Sequence, residues 1–243
     1  MRNNIGIYIH IPFCKSKCSY CDFYSMPLSP QIRQAYISEL KKEILFVSRN
    51  HLDKTVDTVY IGGGTPSILR SEEIESILFA INQNFNCKIE ECTIEVNPCS
   101  SQNIDKYKDI GINRISVGVQ SLDNDILKIL GRKHTTEQAI DSLERAAKYF
   151  DNISADFILG VKEGYDIEYS IKNSPFYDVY KDAIKHISAY ILKVEKNTPL
   201  YKYAKKSEYT VLNDDELANQ YDKANRFFHS GGFMRYEISN FAK

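Results

Sequence analysis

At 243 residues the chain is long enough to bury a large core and suits one α/β domain. Hydrophobic residues at 43% and charged residues at 26% are ordinary for a soluble globular protein, and a net charge of −1 excludes an electrostatic footprint for nucleic acid or an anionic membrane. The N-terminus runs straight into strand-like residues instead of a signal peptide, and no apolar run reaches membrane-spanning length, so the expected location is the cytoplasm. In that reducing compartment the six cysteines point to metal binding rather than disulfides.

Ile5, Ile7, Ile9 and Ile11 alternate as a period-two strand that ends at Pro12. Directly after it come Cys14, Cys18 and Cys21, a CxxxCxxC run. Thiolates this close on a loop can converge on one soft metal centre, as they do around iron–sulfur clusters. Three thiolates on a four-iron cubane leave one iron open to a small molecule. Two other readings stand beside this one: a structural zinc site with His10 or Asp22 as fourth ligand, or three unrelated buried thiols. Zinc cysteines usually come as two CxxC pairs, and no second pair follows here. Cys87, Cys92 and Cys99 lack ligand spacing and read as ordinary core or surface thiols.

Residues 31 to 49 place Ile32, Tyr36, Leu40, Ile44 and Val47 at helical spacing. A second strand, 56 to 61, enters Gly62-Gly63-Gly64-Thr65-Pro66 ahead of a helix at 71 to 84; consecutive glycines let a ligand approach closely and expose backbone amides. A third strand, 91 to 96, ends in Glu95-Val96-Asn97-Pro98 and precedes a helix at 102 to 110. A fourth, 114 to 119, ends at Gln120 ahead of helical patterns at 123 to 130 and 136 to 150. A fifth, 153 to 159, carries Asp156; a helix at 167 to 182 is interrupted by Pro175, and a sixth strand lies within 183 to 194. Then follow a turn at Lys196-Asn197-Thr198-Pro199, a helix over about 214 to 229 and a last strand after Gly231-Gly232. Strands alternating with helices predict parallel pairing with right-handed crossovers, and six such units predict an incomplete (β/α)6 barrel. With no linker in view, residues 1–194 form the barrel core and 195–243 a C-terminal α/β extension of the same domain.

Polar residues recur at strand ends, the edge where barrel sites are built: the cysteines, the glycines, Glu95, Gln120 and Asp156. Each also has a structural reading, with Glu95 as a capping acid, Asp156 as an ion-pair partner, Gln120 as a turn residue and Arg132 as a solvated charge.

The cysteine spacing, with Tyr20 before the third thiol, resembles the radical S-adenosylmethionine (SAM) superfamily. Longer stretches narrow the resemblance. Tyr8-Ile-His-Ile-Pro-Phe-Cys14, Tyr60-Ile-Gly-Gly-Gly-Thr-Pro-Ser67, Glu95-Val-Asn-Pro98, Gly111-Ile-Asn-Arg-Ile-Ser-Val-Gly-Val-Gln-Ser121, His186-Ile-Ser-Ala-Tyr190 and Tyr236-Glu-Ile-Ser-Asn-Phe-Ala-Lys243 are similar to the oxygen-independent coproporphyrinogen oxidase group, HemN and HemW. The likeness runs from residue 5 to 243.

This resemblance implies a [4Fe–4S] cluster on Cys14, Cys18 and Cys21, with SAM chelated at the open iron and cleaved to a radical when the cluster delivers an electron. It implies SAM contacts from Tyr8, Gly63, Gly64, Thr65, Glu95, Gln120, Arg132 and Asp156. An arginine fork suits the carboxylate, and acids suit an ammonium or ribose hydroxyls. Tyr20 fits an adenine pocket or the core. The oxidase branch carries another cysteine two positions after the third ligand, where this chain has Phe23, which favours the HemW branch of haem-binding chaperones; the alternative is oxidative decarboxylation of coproporphyrinogen III in porphyrin biosynthesis. Partners implied are haem or a porphyrin, a flavodoxin- or ferredoxin-type electron donor and a haem-recipient protein, with no nucleic acid and no membrane span. Relatives continue into an HNxxYW motif and a C-terminal domain, so a chain ending at Lys243 reads as a short form or a fragment. Gly160-Val161-Lys162 replaces a Gly-Leu-Pro-Gly turn. For haem ligation the visible imidazoles are His10, His134 and His186.

Overall fold

Strand and helix alternate along residues 3–243, the part of the chain that the computed structural model describes, and two compact units are formed. One holds the chain up to Ser16, Tyr24–Val96 and Ser100–Ile115; the other holds Lys17–Phe23, Asn97–Cys99 and Ser116–Lys243.

In the first unit β1 (Asn4–Ile11) leads to a short parallel pair, β2 (Phe13–Cys14) and β3 (Met26–Pro27). Then come α1 (Pro30–Ser48), β4 (Thr55–Gly63), α2 (Ser71–Asn84), β5 (Asn86–Val96) and α3 (Ile104–Asp109). β4 lies between β1 and β5 and is parallel to both, with Tyr8 opposite Tyr60 and His10 opposite Gly62. Side chains alternate across a strand, so Ile9, Ile11, Val59 and Ile61 are buried while Tyr8 stays 57% exposed. α1 begins with Ser29, whose side chain accepts from the Ile32 N–H, and Pro30 at its first turn.

β6 (Arg114–Gln120) crosses from one unit's residues into the other's. The second unit continues with α4 (Asn124–Ile129), α5 (Thr136–Ala147), β7 (Ile153–Leu159), α6 (Ile167–Lys172), α7 (Phe176–Asp182) and β8 (Ile184–Ile191). It ends with α8 (Pro199–Lys205), α9 (Asp214–Ser230), β9 (Met234–Arg235) and β10 (Asn240–Ala242). The strand order is β6-β7-β8-β10-β9, with β7 parallel to β8 and β10 antiparallel to both neighbours. Aromatic rings fill this core, among them Tyr180 at 5.3 Å from Phe227 and 5.4 Å from Phe233. α9 packs on α6, β7 and β8, so residues 195–243 share one compact unit with 116–194.

Several expectations are corrected. The buried stripe of α1 is Ile37, Leu40 and Ile44, while Ile32 is 49% exposed. β5 starts at Asn86 rather than 91, because Cys87 and Ile89 alternate with Asn86, Lys88 and Glu90 and pair from Thr55↔Asn86 onward. The interruption expected at Pro175 is found, and it divides the stretch from 167 to 182 into α6 and α7. The strand expected after Gly231-Gly232 is two short ones, and β10 breaks the parallel pattern by running against β8. Beyond the turn at 196 to 199 the structure has α8, capped by the Thr198 hydroxyl on the Tyr201 N–H.

Candidate cofactor site

In the first unit the residues expected at the site lie around the turn after β4. Glu95, on β5, accepts from the Tyr60 hydroxyl at 2.9 Å and from the Gly63 N–H at 3.1 Å. Gly64 donates its N–H to the Ile11 carbonyl at 2.8 Å. The amides of Gly63 and Gly64, expected to be free for a ligand, are therefore used inside the protein, by the Glu95 carboxylate and the Ile11 carbonyl. What the glycines supply is close approach. A Cβ on Gly64 would stand 2.8 Å from the Phe13 carbonyl and 3.0 Å from the Cys14 sulfur, and one on Gly63, at φ +115°, 2.7 Å from the His10 ring. The Thr65 hydroxyl points at the Cys14 sulfur at 3.6 Å. Tyr8 hydrogen-bonds His10 Nδ1 at 3.0 Å; burial, with the Glu95 charge adding to it, raises its phenol pKa.

In the second unit the cysteine loop is held at Ser19. Its N–H donates to the Leu130 carbonyl at 3.0 Å, its hydroxyl to the Ile129 carbonyl, and its own carbonyl accepts from the Leu200 N–H at 2.8 Å. Gly131 is closed down on the same loop, since a Cβ there would sit 2.8 Å from the Ser19 nitrogen. Next in sequence, Arg132 donates Nη2 to the Gly118 carbonyl at 3.1 Å and Nη1 to the Cys18 sulfur at 3.6 Å, while its buried Nε has no acceptor. Tyr20 lies in the same electrostatic group as Arg132, Cys18 and Cys21; burial drives its phenol well above the usual range, and the arginine charge opposes this. Phe23 is 64% exposed.

Gln120 has φ +66°, a left-handed backbone rare outside glycine, and strain of this kind concentrates at functional sites. Its amide lies over Gly118, where a Cβ would be 2.8 Å from Nε2. Asp156 accepts from the Ser116 hydroxyl at 2.9 and 3.1 Å and from Ser154 at 3.3 Å. Ser154 in turn bonds His186 Nδ1 at 2.8 Å, and His186 Nε2 bonds the Tyr236 hydroxyl at 2.8 Å. No local pattern signals this chain of contacts, because its members come from β6, β7, β8 and the segment after β9.

The three imidazoles weighed for haem, His10, His134 and His186, are engaged. His10 Nε2 meets the Tyr24 carbonyl at 3.1 Å, and His186 bonds through both nitrogens. His134 is buried and bonds the Val119 carbonyl at 3.1 Å; burial first, and the Arg132 charge second, pull its pKa down to about 4. Cys92 is 1% exposed, with its thiol pushed up to about 12 chiefly by burial, so it behaves as a core side chain. Cys99, read as an ordinary thiol, lies within electrostatic reach of Arg132, which its place just after β5 did not disclose.

Among the described residues no three His, Cys, Asp or Glu side chains are already gathered to hold a metal ion, and the three motif thiols divide between the units, Cys14 in one, Cys18 and Cys21 in the other. The donor set still fits a soft metal cluster and an anionic ligand. The motif cysteines are neither disulfide-bonded nor fully buried, Cys14 lies against a glycine turn that a Cβ would crowd, and Arg132 keeps a buried donor without an acceptor. No described helix is long and apolar enough to cross a membrane.

The radical SAM superfamily model matches residues 8–172. The chain is 34% identical to the haem chaperone HemW of Buchnera aphidicola over 98% of its length, covering 63% of that relative. It is 34% identical to HemW of Lactococcus lactis, with 96% of this chain and 61% of that one aligned, and 32% identical to HemW of Bacillus subtilis, with 97% and 63% aligned. It thus spans a little over three-fifths of the length of these curated relatives. In structure it resembles Escherichia coli coproporphyrinogen III oxidase, HemN, with a TM-score of 0.82 at 21% identity, over 100% of this chain and 56% of that one. That likeness shows the fold, an α/β radical SAM fold, and the family implies a [4Fe–4S] cluster and SAM. With its motif cysteines inside the matched span, the chain belongs to the radical SAM superfamily.

Proposed function

We propose that Cys14, Cys18 and Cys21 bind one [4Fe–4S] cluster, that SAM occupies the iron left open, and that the protein is a haem-binding chaperone that passes haem to a recipient protein. The observation that carries the chaperone reading is the likeness to HemW relatives over 96 to 98% of the chain, supported by Phe23 in the place of a further cysteine. Tyr8, Gly63, Gly64, Thr65, Glu95, Gln120, Arg132 and Asp156 form the SAM site. The free Nε of Arg132 supports a carboxylate contact there, and the hydroxyl-bonded carboxylate of Asp156 suits a ribose. Glu95 shapes the glycine turn through the Gly63 N–H. When bound, the cluster and SAM supply one-electron chemistry, with the electron coming from a flavodoxin- or ferredoxin-type donor.

The test is anaerobic reconstitution followed by haem titration and coproporphyrinogen III turnover on the same preparation. Haem binding without conversion supports the chaperone. SAM-dependent decarboxylation that is lost in Cys14→Ala overturns it in favour of the oxidase. Stoichiometric zinc with no iron overturns the cluster assignment.

A further inference from the structure

We propose that Arg132 acts on the cluster itself: its guanidinium donates an N–H···S hydrogen bond to the thiolate of Cys18 and thereby holds the cluster's reduction potential up. The inference rests on the reading of Cys18 as a cluster ligand, and it adds a role to the SAM contact assigned to the same side chain.

Both ends of this contact are fixed by the protein. Nη1 stands 3.6 Å from the Cys18 sulfur while Nη2 is tied at 3.1 Å to the Gly118 carbonyl on β6. Gly118 leaves the room for it, since a Cβ there would come within 3.3 Å of Nη2. On the acceptor side, the residue after Cys18 is Ser19, which is held through its N–H, its hydroxyl and its carbonyl. A planar fork that anchors one nitrogen on a carbonyl and turns the other onto a sulfur needs arginine; lysine has a single nitrogen for both tasks.

The chemistry follows from charge. Reduction adds one electron to a cluster already held by three thiolates, with no bond made or broken in the protein and no proton taken up. A cation donating to one of those sulfurs stabilises the added charge, and in a partly buried position salt screens it less than at the surface. Hydrogen bonds to the sulfurs are among the levers that set iron–sulfur potentials. Arg132 is thus a positioning and tuning residue for the cluster, acting before SAM arrives.

The experiment is an EPR-monitored redox titration of the anaerobically reconstituted full chain without SAM, comparing the parent with Arg132→Met, Arg132→Lys and Arg132→Gln. Iron and sulfide content are measured on each. Arg132→Met, apolar and without a donor, is expected to shift the midpoint to a more negative value and to abolish an exchangeable-proton coupling of the reduced cluster seen in H2O but not D2O. Arg132→Lys keeps the charge and should shift less; Arg132→Gln removes the charge and should shift the midpoint in the same direction as Met. A cluster-loaded Arg132→Met with midpoint and coupling unchanged, or a loaded Arg132→Gln with an unchanged midpoint where the former takes up no iron, overturns the proposal. A parent chain that takes up no cluster overturns the reading of the cysteine loop and this inference with it.

Discussion

The Leu200 N–H donates to the Ser19 carbonyl at 2.8 Å, joining the first turn of α8 to the middle of the cysteine loop. The first N–H groups of a helix have no partner within it, and one of them is satisfied here by the loop that carries Cys18 and Cys21. Thr198 holds that turn in place, its hydroxyl accepting from Tyr201 at 3.2 Å and donating to the Glu195 carbonyl at 2.7 Å. Thr198→Ala should cost about 1 kcal/mol of stability. It should also speed hydrogen exchange at the Leu200 and Ser19 amides together. Faster exchange at Leu200 alone, with Ser19 unchanged, would show that α8 does not steady the loop.

Gly64 is the more exacting position in the glycine turn. The atoms a Cβ would strike, the carbonyls of Phe13 and Ile11 at 2.8 and 3.0 Å and the Cys14 sulfur at 3.0 Å, are mostly backbone and cannot swing aside. Gly64→Ala must displace the β1–β2 corner, at a cost of roughly 1–3 kcal/mol as for other overpacked sites. Cys14 moves with that corner, so the expected outcome is a folded protein with reduced iron uptake on reconstitution. Full uptake with an unchanged thermal midpoint would mean that the corner has slack.

Much of this was legible in the sequence, and the gaps have physical causes. The strands of the βα repeat announce themselves because Ile5, Ile7, Ile9 and Ile11, or Ile153 to Leu159, need only local periodicity to be read. α8 escaped although Thr198-Pro199 is an N-cap and first-turn pair, since a seven-residue helix carries too short an apolar pattern. The division of the expected last strand into β9 and β10, and the antiparallel pairing of β10, escaped because its three residues pair with β8 through tertiary contact alone. At the site, the residue types at strand ends were visible, but the satisfied amides of Gly63 and Gly64 were not. Glu95 and Ile11, distant in sequence, take those donors.

His134 makes stability depend on pH. Its neutral ring bonds the Val119 carbonyl through Nε2, and a proton on Nδ1 would be a buried donor without a partner beside the Arg132 charge. The folded pKa of about 4 lies below the unfolded value near 6.5, so the unfolded chain binds more protons between these limits. This contribution is fully present above pH 6.5 and is lost as pH falls towards 4, amounting to on the order of 3 kcal/mol over the window. Urea midpoints at pH 7 and pH 5 should differ by more in the parent than in His134→Gln. Equal differences in the two proteins would remove His134 from the pH response.

Arg132 also provides the sharpest test of the SAM site. Two of its nitrogens are committed, to Gly118 and to Cys18, and Nε is buried with no acceptor, an arrangement that costs free energy unless a ligand supplies one. A carboxylate would be such an acceptor, and a charge-assisted contact of this type is worth roughly 1.5–3 kcal/mol. Arg132→Ala, loaded with cluster, should therefore bind SAM about ten- to a hundredfold more weakly by anaerobic calorimetry. Arg132→Lys should recover only part of the loss, because an ammonium cannot hold Gly118 and meet the carboxylate in the same plane. Unchanged SAM affinity in a cluster-loaded Arg132→Ala protein would take this arginine out of the SAM site, leaving only its contact with Cys18.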